Sequence, residues 1–226
     1  MPRLTAGEPV ALFHDTRFVV LDKPPGLPVH AGPRGGPSVE DWFPLLSRRR
    51  DGPWLAHRLD ADTAGCLVVA LRRAALAEAQ SVFAAGRADK VYWAVVVGDP
   101  GAEAGIVENR LAKRTARSGW RMVASPDGQP AVTGWRVRGR DGGLTWLELR
   151  PRTGRTHQVR VHCAALGTPI LGDPIYGEGG AGARLHLLAR SLALPLDPPV
   201  AATAPPPAHM EATLRRCGWT ATCPPG

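Results

Sequence analysis

Apolar positions along the chain fall mostly into short runs of strand length, interrupted by a few stretches with helical spacing. Val10 to Asp22 carries two β-branched and aromatic runs separated by His14 to Arg17, which predicts strand, turn, strand. Lys23-Pro24-Pro25-Gly26 then forces a turn, since proline restricts the backbone and removes a donor. Ser38 caps a short helix on which Val39, Trp42, Phe43 and Leu46 recur at helical spacing. The basic run Arg48 to Arg50 that ends it reads as a solvated helix end, with an RNA contact as the alternative.

Cys66 to Leu71 is an unbroken apolar run of strand length, and Arg72 to Gly86 predicts an Ala-rich helix burying Leu76, Ala79 and Phe83. Lys90 to Val97 predicts a strand buried on both faces, with Tyr92, Ala94 and Val96 on one side and Val91, Trp93, Val95 and Val97 on the other. Ala131 to Arg150 reads as a hairpin turned at Asp141-Gly142-Gly143. Thr156 to Leu166 predicts a helix with Val159, Cys163 and Leu166 on its core side and Gly167 as its stop. The segment from Pro169 to Gly177 is turn-rich. Beyond Leu196 the Pro- and Ala-rich tail is expected to pack weakly until a short helix at Met210 to Trp219. No internal repeat is present.

A chain of 226 residues is long enough for one large domain or two small ones with a sizeable core. Its 28 Lys and Arg against 20 Asp and Glu give +8, a balance that favours polyanionic partners, although a GC-rich genome also enriches arginine. Cys66, Cys163, Cys217 and Cys223 form no C-x-x-C pair and have no histidine at a metal-ligand spacing, so neither zinc nor a redox pair is indicated. Cys66 and Cys163 are expected to be core thiols. No apolar run approaches the roughly 18 residues of a membrane helix, and the reading is of a cytoplasmic protein.

Two segments concentrate the chemistry: His57-Arg58-Leu59-Asp60-Ala61-Asp62-Thr63-Ala64-Gly65, and, about a hundred residues on, Gly154-Arg155-Thr156-His157-Gln158-Val159-Arg160-Val161-His162. Asp60 and Asp62 raise the possibility of a glycosidase-like acid and base. Asp60 is assigned the buried, reactive role and Asp62 a solvent-facing or turn-capping one. A carboxylate among apolar groups stays ionised only beside a cation, and Arg58 or Arg160 could supply it; an ion pair that merely joins two segments is the alternative. Tyr92 is either a stacking and proton-transfer group or a core tyrosine. His57, His157 and His162 do not make a metal triad, because His157 and His162 diverge on a helix. Gly154-Arg155-Thr156, opening that helix, is a candidate phosphate seat.

These motifs, with Val19-Val20-Leu21-Asp22-Lys23-Pro24-Pro25-Gly26-Leu27-Pro28-Val29-His30, Lys90-Val91-Tyr92-Trp93-Ala94-Val95-Val96 and the run from Cys163 to Gly177, resemble the RluA-type pseudouridine synthases in their order over residues 10 to 195. The resemblance implies an α+β catalytic domain, a largely antiparallel mixed sheet with flanking helices and a central RNA-binding cleft. It implies isomerisation of specific uridines in structured ribosomal or transfer RNA, without cofactor or metal, by a monomer. Asp60 would be catalytic, Tyr92 would pack on the flipped base, and Arg160 would pair with Asp60. RNA contacts fall to Arg58, His57, Arg155, Thr156, His157 and Gln158. The expected organisation is an extension at 1–9, a catalytic domain at 10–196 and a tail at 197–226, with no S4-like module. Thr-Ala-Gly-Cys-Leu-Val-Val-Ala at 63–70 and Thr168 depart from the family's usual residues as packing changes. The competing reading is an RNA chaperone that keeps the fold without turnover.

Overall fold

The computed structural model describes residues 9–32, 35–49, 51–116, 119–177 and 183–220. In chain order its elements are β1 (Val10–His14), β2 (Phe18–Lys23), a 3-10 turn (Val39–Trp42) running into α1 (Phe43–Leu46), β3 (Trp54–Leu55), β4 (Ala64–Ala70), α2 (Arg73–Ala84) and β5 (Asp89–Val97). There follow β6 (Ala104–Ala116), β7 (Gly119–Ala124), β8 (Gln129–Asp141), β9 (Leu144–Pro151), α3 (Gln158–Ala165), β10 (Leu187–Leu194), β11 (Val200–Thr203) and α4 (Ala208–Arg216). Within the span 10–196 read as one domain, contacts group the chain into two units. One runs up to Lys90 and takes back Leu188–Pro207; the other holds Val91–Leu187 and the segment from Ala208. The architecture is α+β with mixed pairing, as the motifs imply.

The first unit is built on β4, whose seven residues are all buried. An uninterrupted apolar run suits a strand covered on both faces. One edge of β4 pairs antiparallel with β2, from Phe18 opposite Ala70 to Lys23 opposite Gly65. The other edge is shared: β10 runs parallel to it at Ala64 and Gly65, and β3 pairs antiparallel at Val69 and Ala70. Gly65 sits at φ 106°, and a Cβ there would strike the carbonyl of Ala189, so the parallel pairing requires glycine. At the 3-10 turn the Asp41 carboxylate accepts the Ser38 N–H at 2.9 Å, which fixes the start of the turn. The exposed Arg48 and Arg49 fit a solvated end, while Arg50 lies outside the described residues. In α2 the buried face is Ala75, Ala79 and Val82 rather than Leu76, Ala79 and Phe83. The methyl-sized residues let the helix approach closely, and Leu76 and Phe83 flank the contact half-buried.

In the second unit the strands are antiparallel in the order β5, β9, β8, β6, β7. Ala94, Val96, Leu147 and Leu149 from β5 and β9 meet Val159 and Cys163 of α3 in one core, with Tyr92 against it. On the opposite face of β5, Trp93 packs edge-on to Trp146 at 4.7 Å. Both faces of β5 are thus covered, as its pattern predicts. Cys66 in the first unit and Cys163 here are core thiols; Cys223 lies outside the described residues. The long pair β6 and β7 was not foreseen.

The short helix expected at Met210 to Trp219 is present as α4, but the weak packing expected before it is not found. β11 pairs with β10 from Ser191 opposite Thr203 to Leu194 opposite Val200, and Val200 and Ala204 are fully buried. α4 buries Met210 and Leu214 completely, His209 Nε2 meets the Leu185 carbonyl at 3.0 Å, and Arg216 pairs with Asp141 at 2.7 Å. Proline and alanine thin the hydrophobic signal without removing it. Among the described residues no helix is long and apolar enough to cross a membrane.

Candidate active site

Asp60 stands in the tight turn that feeds β4, with its own carbonyl accepting from the Thr63 N–H at 3.1 Å. Leu59 and Thr63 on either side are buried, whereas Asp60 is half-buried, Asp62 exposed and Arg58 exposed. The turn is tied down by a residue that the sequence pattern places only in the Lys-Pro-Pro-Gly turn. Lys23, fully buried at the end of β2, donates from Nζ to the carbonyls of Pro24 at 2.8 Å, Leu27 at 2.8 Å and Ala61 at 2.7 Å. The Gly26 N–H adds a second bond to the Ala61 carbonyl at 2.9 Å. All three ammonium donors are therefore spent on backbone. Burial pushes the Lys23 ammonium down to about 7, against the charges of Asp62, Asp60 and Asp22, which favour its proton. Burial also lifts its neighbour Asp22 to about 6, Lys23 opposing.

Lys23→Met tests this anchor. It takes the ammonium donor from the carbonyls of Pro24 and Leu27, each of which costs about 1–3 kcal/mol if buried without a donor, leaves Ala61 only its bond from Gly26, and relieves the desolvated charge. The expected result is a loss of about 2–3 kcal/mol in the urea unfolding free energy and a fall in turnover that persists well below the melting transition. Unchanged turnover in the folded variant would show that the turn holds its shape without the lysine.

His57 is a structural acceptor. Its Nε2 takes the Val68 N–H at 3.0 Å and its ring tilts against Phe83 at 4.9 Å. Burial, helped by the Lys90 charge, pushes the imidazole down to about 4, so it stays neutral and keeps that lone pair.

In the second unit the predicted helix start shifts. α3 begins at Gln158, and Gly154 to His157 form the turn before it, so Gly154-Arg155-Thr156 does not open the helix. Gln158, assigned to RNA, is 3% exposed and fully engaged. Its Oε1 accepts from Thr153 Oγ1 at 2.7 Å and the Arg155 N–H at 2.9 Å, while Nε2 donates to the Val132 carbonyl at 3.1 Å and Thr133 Oγ1 at 3.0 Å. An amide has two donors and two acceptor positions, so nothing is left for a ligand. Gln158 shapes the loop. Arg155 and Thr156 remain exposed and half-buried on it, with Arg155 Nε donating to the Pro130 carbonyl at 3.0 Å. His162, buried and neutral, braces α3 to β8 and β6 through Thr133 Oγ1 at 2.8 Å and Asn109 Oδ1 at 3.0 Å; burial pushes it down to about 4.

Arg160, 3% exposed, forms a two-pronged pair with fully buried Asp173: Nε to Oδ2 and Nη2 to Oδ1, both 2.8 Å. Asp173 Oδ1 also accepts from the backbone of Ile175 at 2.9 Å and Tyr176 at 3.1 Å. Burial raises the Asp173 carboxyl, but Arg160 and these N–H groups outweigh it and hold the pKa below the ordinary value. Tyr176 lies 5.3 Å beneath the Arg160 guanidinium. The sequence reading missed Lys23, Asp173 and Tyr176; the signal was present only as a lysine closing an apolar strand and an aspartate before proline in a turn.

The sequence profile of the RNA pseudouridylate synthase family matches residues 17–165. An uncharacterized RNA pseudouridine synthase of Zymomonas mobilis is 39% identical over 203 residues, covering 87% of this chain and 93% of its own length. A ribosomal large subunit pseudouridine synthase D of Xanthomonas campestris is 41% identical over 174 residues, covering 74% of this chain and 51% of its own. Among solved structures, human RNA pseudouridylate synthase domain containing 4 superposes with a TM-score of 0.78 at 30% identity, over 92% of each chain. Fold and relatives together define the class, an isomerase that converts uridine to pseudouridine in RNA. The chain belongs to the RNA pseudouridylate synthase family.

Proposed function

We propose that this enzyme isomerises specific uridines in structured ribosomal or transfer RNA, with Asp60 as its catalytic carboxylate. Tyr92 packs on the extruded base and is positioned for proton transfer, Arg160 pairs with Asp60, and Arg58 holds the RNA with the uridine flipped out. Arg155, Thr156 and His157 take backbone contacts, and His57 supports the turn from behind. The bond between N1 and the ribose breaks, the uracil rotates, and the ribose rejoins at C5. The C5 hydrogen leaves as a proton and N1 gains one, so substrate and product are isomers and no oxidant, cofactor or metal is called for. The enzyme acts in the cytoplasm as a monomer, through a positively charged cleft whose phosphate contacts offset the few kcal/mol of base extrusion.

The observation that supports this reading most is the anchoring of the Asp60 turn by buried Lys23, which spends three hydrogen bonds to hold one short segment. Positioning of that kind is what an enclosed rearrangement without outside reagents needs.

The test is incubation of the purified protein with cellular RNA carrying tritium at uracil C5. Tritium should pass to water in step with new pseudouridine at defined positions, and no free uracil should appear. Release of uracil would mark a glycosidase; tight binding without tritium loss would mark an RNA chaperone.

A further inference from the structure

The second unit carries an aromatic cluster whose exposed member, Trp120, has no part in the reaction as proposed. β6 and β7 pair with Lys113 opposite Met122 and Thr115 opposite Trp120, which puts Lys113, Thr115, Trp120 and Met122 on one face of the hairpin. Lower on that face Leu111 and Met122 join a small core with Ala131, Val161 and Tyr176. Trp120 instead remains 43% exposed. Its indole stacks on the imidazole of His157, centroids 4.9 Å apart and planes at 28°, and the Lys113 ammonium lies 4.7 Å from the ring centre.

The support under this indole is fixed. The Tyr176 hydroxyl accepts from the Met122 N–H at 2.9 Å and meets His157 Nδ1 at 2.9 Å, with the tyrosine ring edge-on to the imidazole. The same tyrosine lies under Arg160. Trp120, His157, Tyr176 and Arg160 are therefore one continuous packed series.

Two features of the cluster work against stability. His157 sits at φ 52°, in the left-handed region, and among the described residues no other non-glycine has a positive φ. Such a conformation persists where the surroundings impose it, and it clusters at ligand sites. On the reverse face of the hairpin Arg114 and Arg121 are directly opposed across the strands, and both are exposed. Like charges so placed repel, and a polyanion would relieve them. An exposed indole backed by an imidazole and flanked by cations matches the stacking platforms that take unpaired bases.

We propose that Trp120, backed by His157, stacks an unpaired base of the RNA outside the reacting uridine, and that Lys113 leaves the ring for the adjacent phosphate. The platform makes an unpaired neighbouring nucleotide part of the recognised substrate. The proposal rests on the reading of the chain as an RNA pseudouridine synthase and adds a specificity-determining residue to it.

The experiment uses the full chain and a stem-loop RNA that the wild type binds, intact and as a series with one unpaired position at a time made abasic. Kd by fluorescence anisotropy and kcat and KM for pseudouridine formation are measured for wild type, Trp120→Ala, Trp120→Phe and His157→Gly. Stacking of one base predicts about a tenfold rise in Kd and KM for Trp120→Ala with kcat retained. Trp120→Phe should recover most of it. His157→Gly, which tolerates the backbone conformation, should show a partial loss. One abasic RNA should weaken the wild type by a similar factor, and on that RNA Trp120→Ala should add nothing further. Losses that multiply at every abasic position, or an unchanged Kd in Trp120→Ala, would overturn the platform. Wild-type binding without pseudouridine on any RNA would sink the synthase reading instead, while the anisotropy series would still decide the role of Trp120.

Discussion

Asp60→Asn is expected to abolish pseudouridine formation, by at least about a thousandfold or ~4 kcal/mol of transition-state stabilisation, while leaving RNA affinity and melting temperature nearly unchanged. The amide keeps the size of the carboxylate and removes only its charge. The turn around it is held by backbone carbonyls on Lys23, and the Asp62 and Asp22 charges remain to favour the lysine proton, so the fold should not notice. Asp62→Asn is the companion measurement. Asp62 is exposed, and its replacement should keep turnover within a few-fold, whereas a two-carboxylate glycosidase would need both groups. Single-turnover rates with saturating enzyme give the comparison directly. Wild-type rates in Asp60→Asn would remove this carboxylate from the chemistry.

Asp173→Ala carries the largest structural effect. It strips a buried guanidinium of its two-pronged partner and leaves the Ile175 and Tyr176 N–H groups without their acceptor. Breaking a buried pair by removing one member costs about 3–5 kcal/mol, because the surviving charge stays desolvated. For a chain of this size that corresponds to a melting temperature lower by about 10 °C. Turnover should fall further than unfolding explains, since Arg160 loses its fixed direction. Asp173→Asn, which still accepts one hydrogen bond, should fall between the two. Thermal melts by circular dichroism, paired with rates measured where the variant is fully folded, separate these contributions. A shift of only a degree or two would mean that Arg160 finds adequate partners elsewhere.

Strands whose faces are both covered were legible, because burial on two sides leaves an uninterrupted apolar run: Cys66 to Leu71 and Lys90 to Val97 fall on β4 and β5 within one or two residues. The hairpin of β6 and β7 was not, since most of its residues face water and its pattern alternates small, polar and basic groups without an apolar stripe. β11 escaped because Val-Ala-Ala-Thr between prolines has the composition of a loose tail, and only the edge of β10 turns it into a strand. The roles proposed for Asp60, Arg58, Tyr92 and Arg160 rest on motif order. Lys23 and Asp173 were not legible, because a lysine or an aspartate is by default a surface residue. Their burial depends on three carbonyls in one case and on one arginine in the other, partners that local pattern does not bring together.

The first unit borrows β10 and β11 from beyond residue 187, and the second borrows α4 from beyond residue 207. During synthesis, β4 therefore waits for more than a hundred intervening residues before its parallel neighbour exists, and neither unit can close on its own contiguous stretch. Assembly of both is thus deferred until nearly all of the span has left the ribosome, a topology expected to slow folding and to leave the apolar faces of β4 and β5 in need of protection while translation proceeds. A nascent chain stopped before Val200 should stay sensitive to protease throughout, and one extended past Arg216 should acquire resistance in both units together.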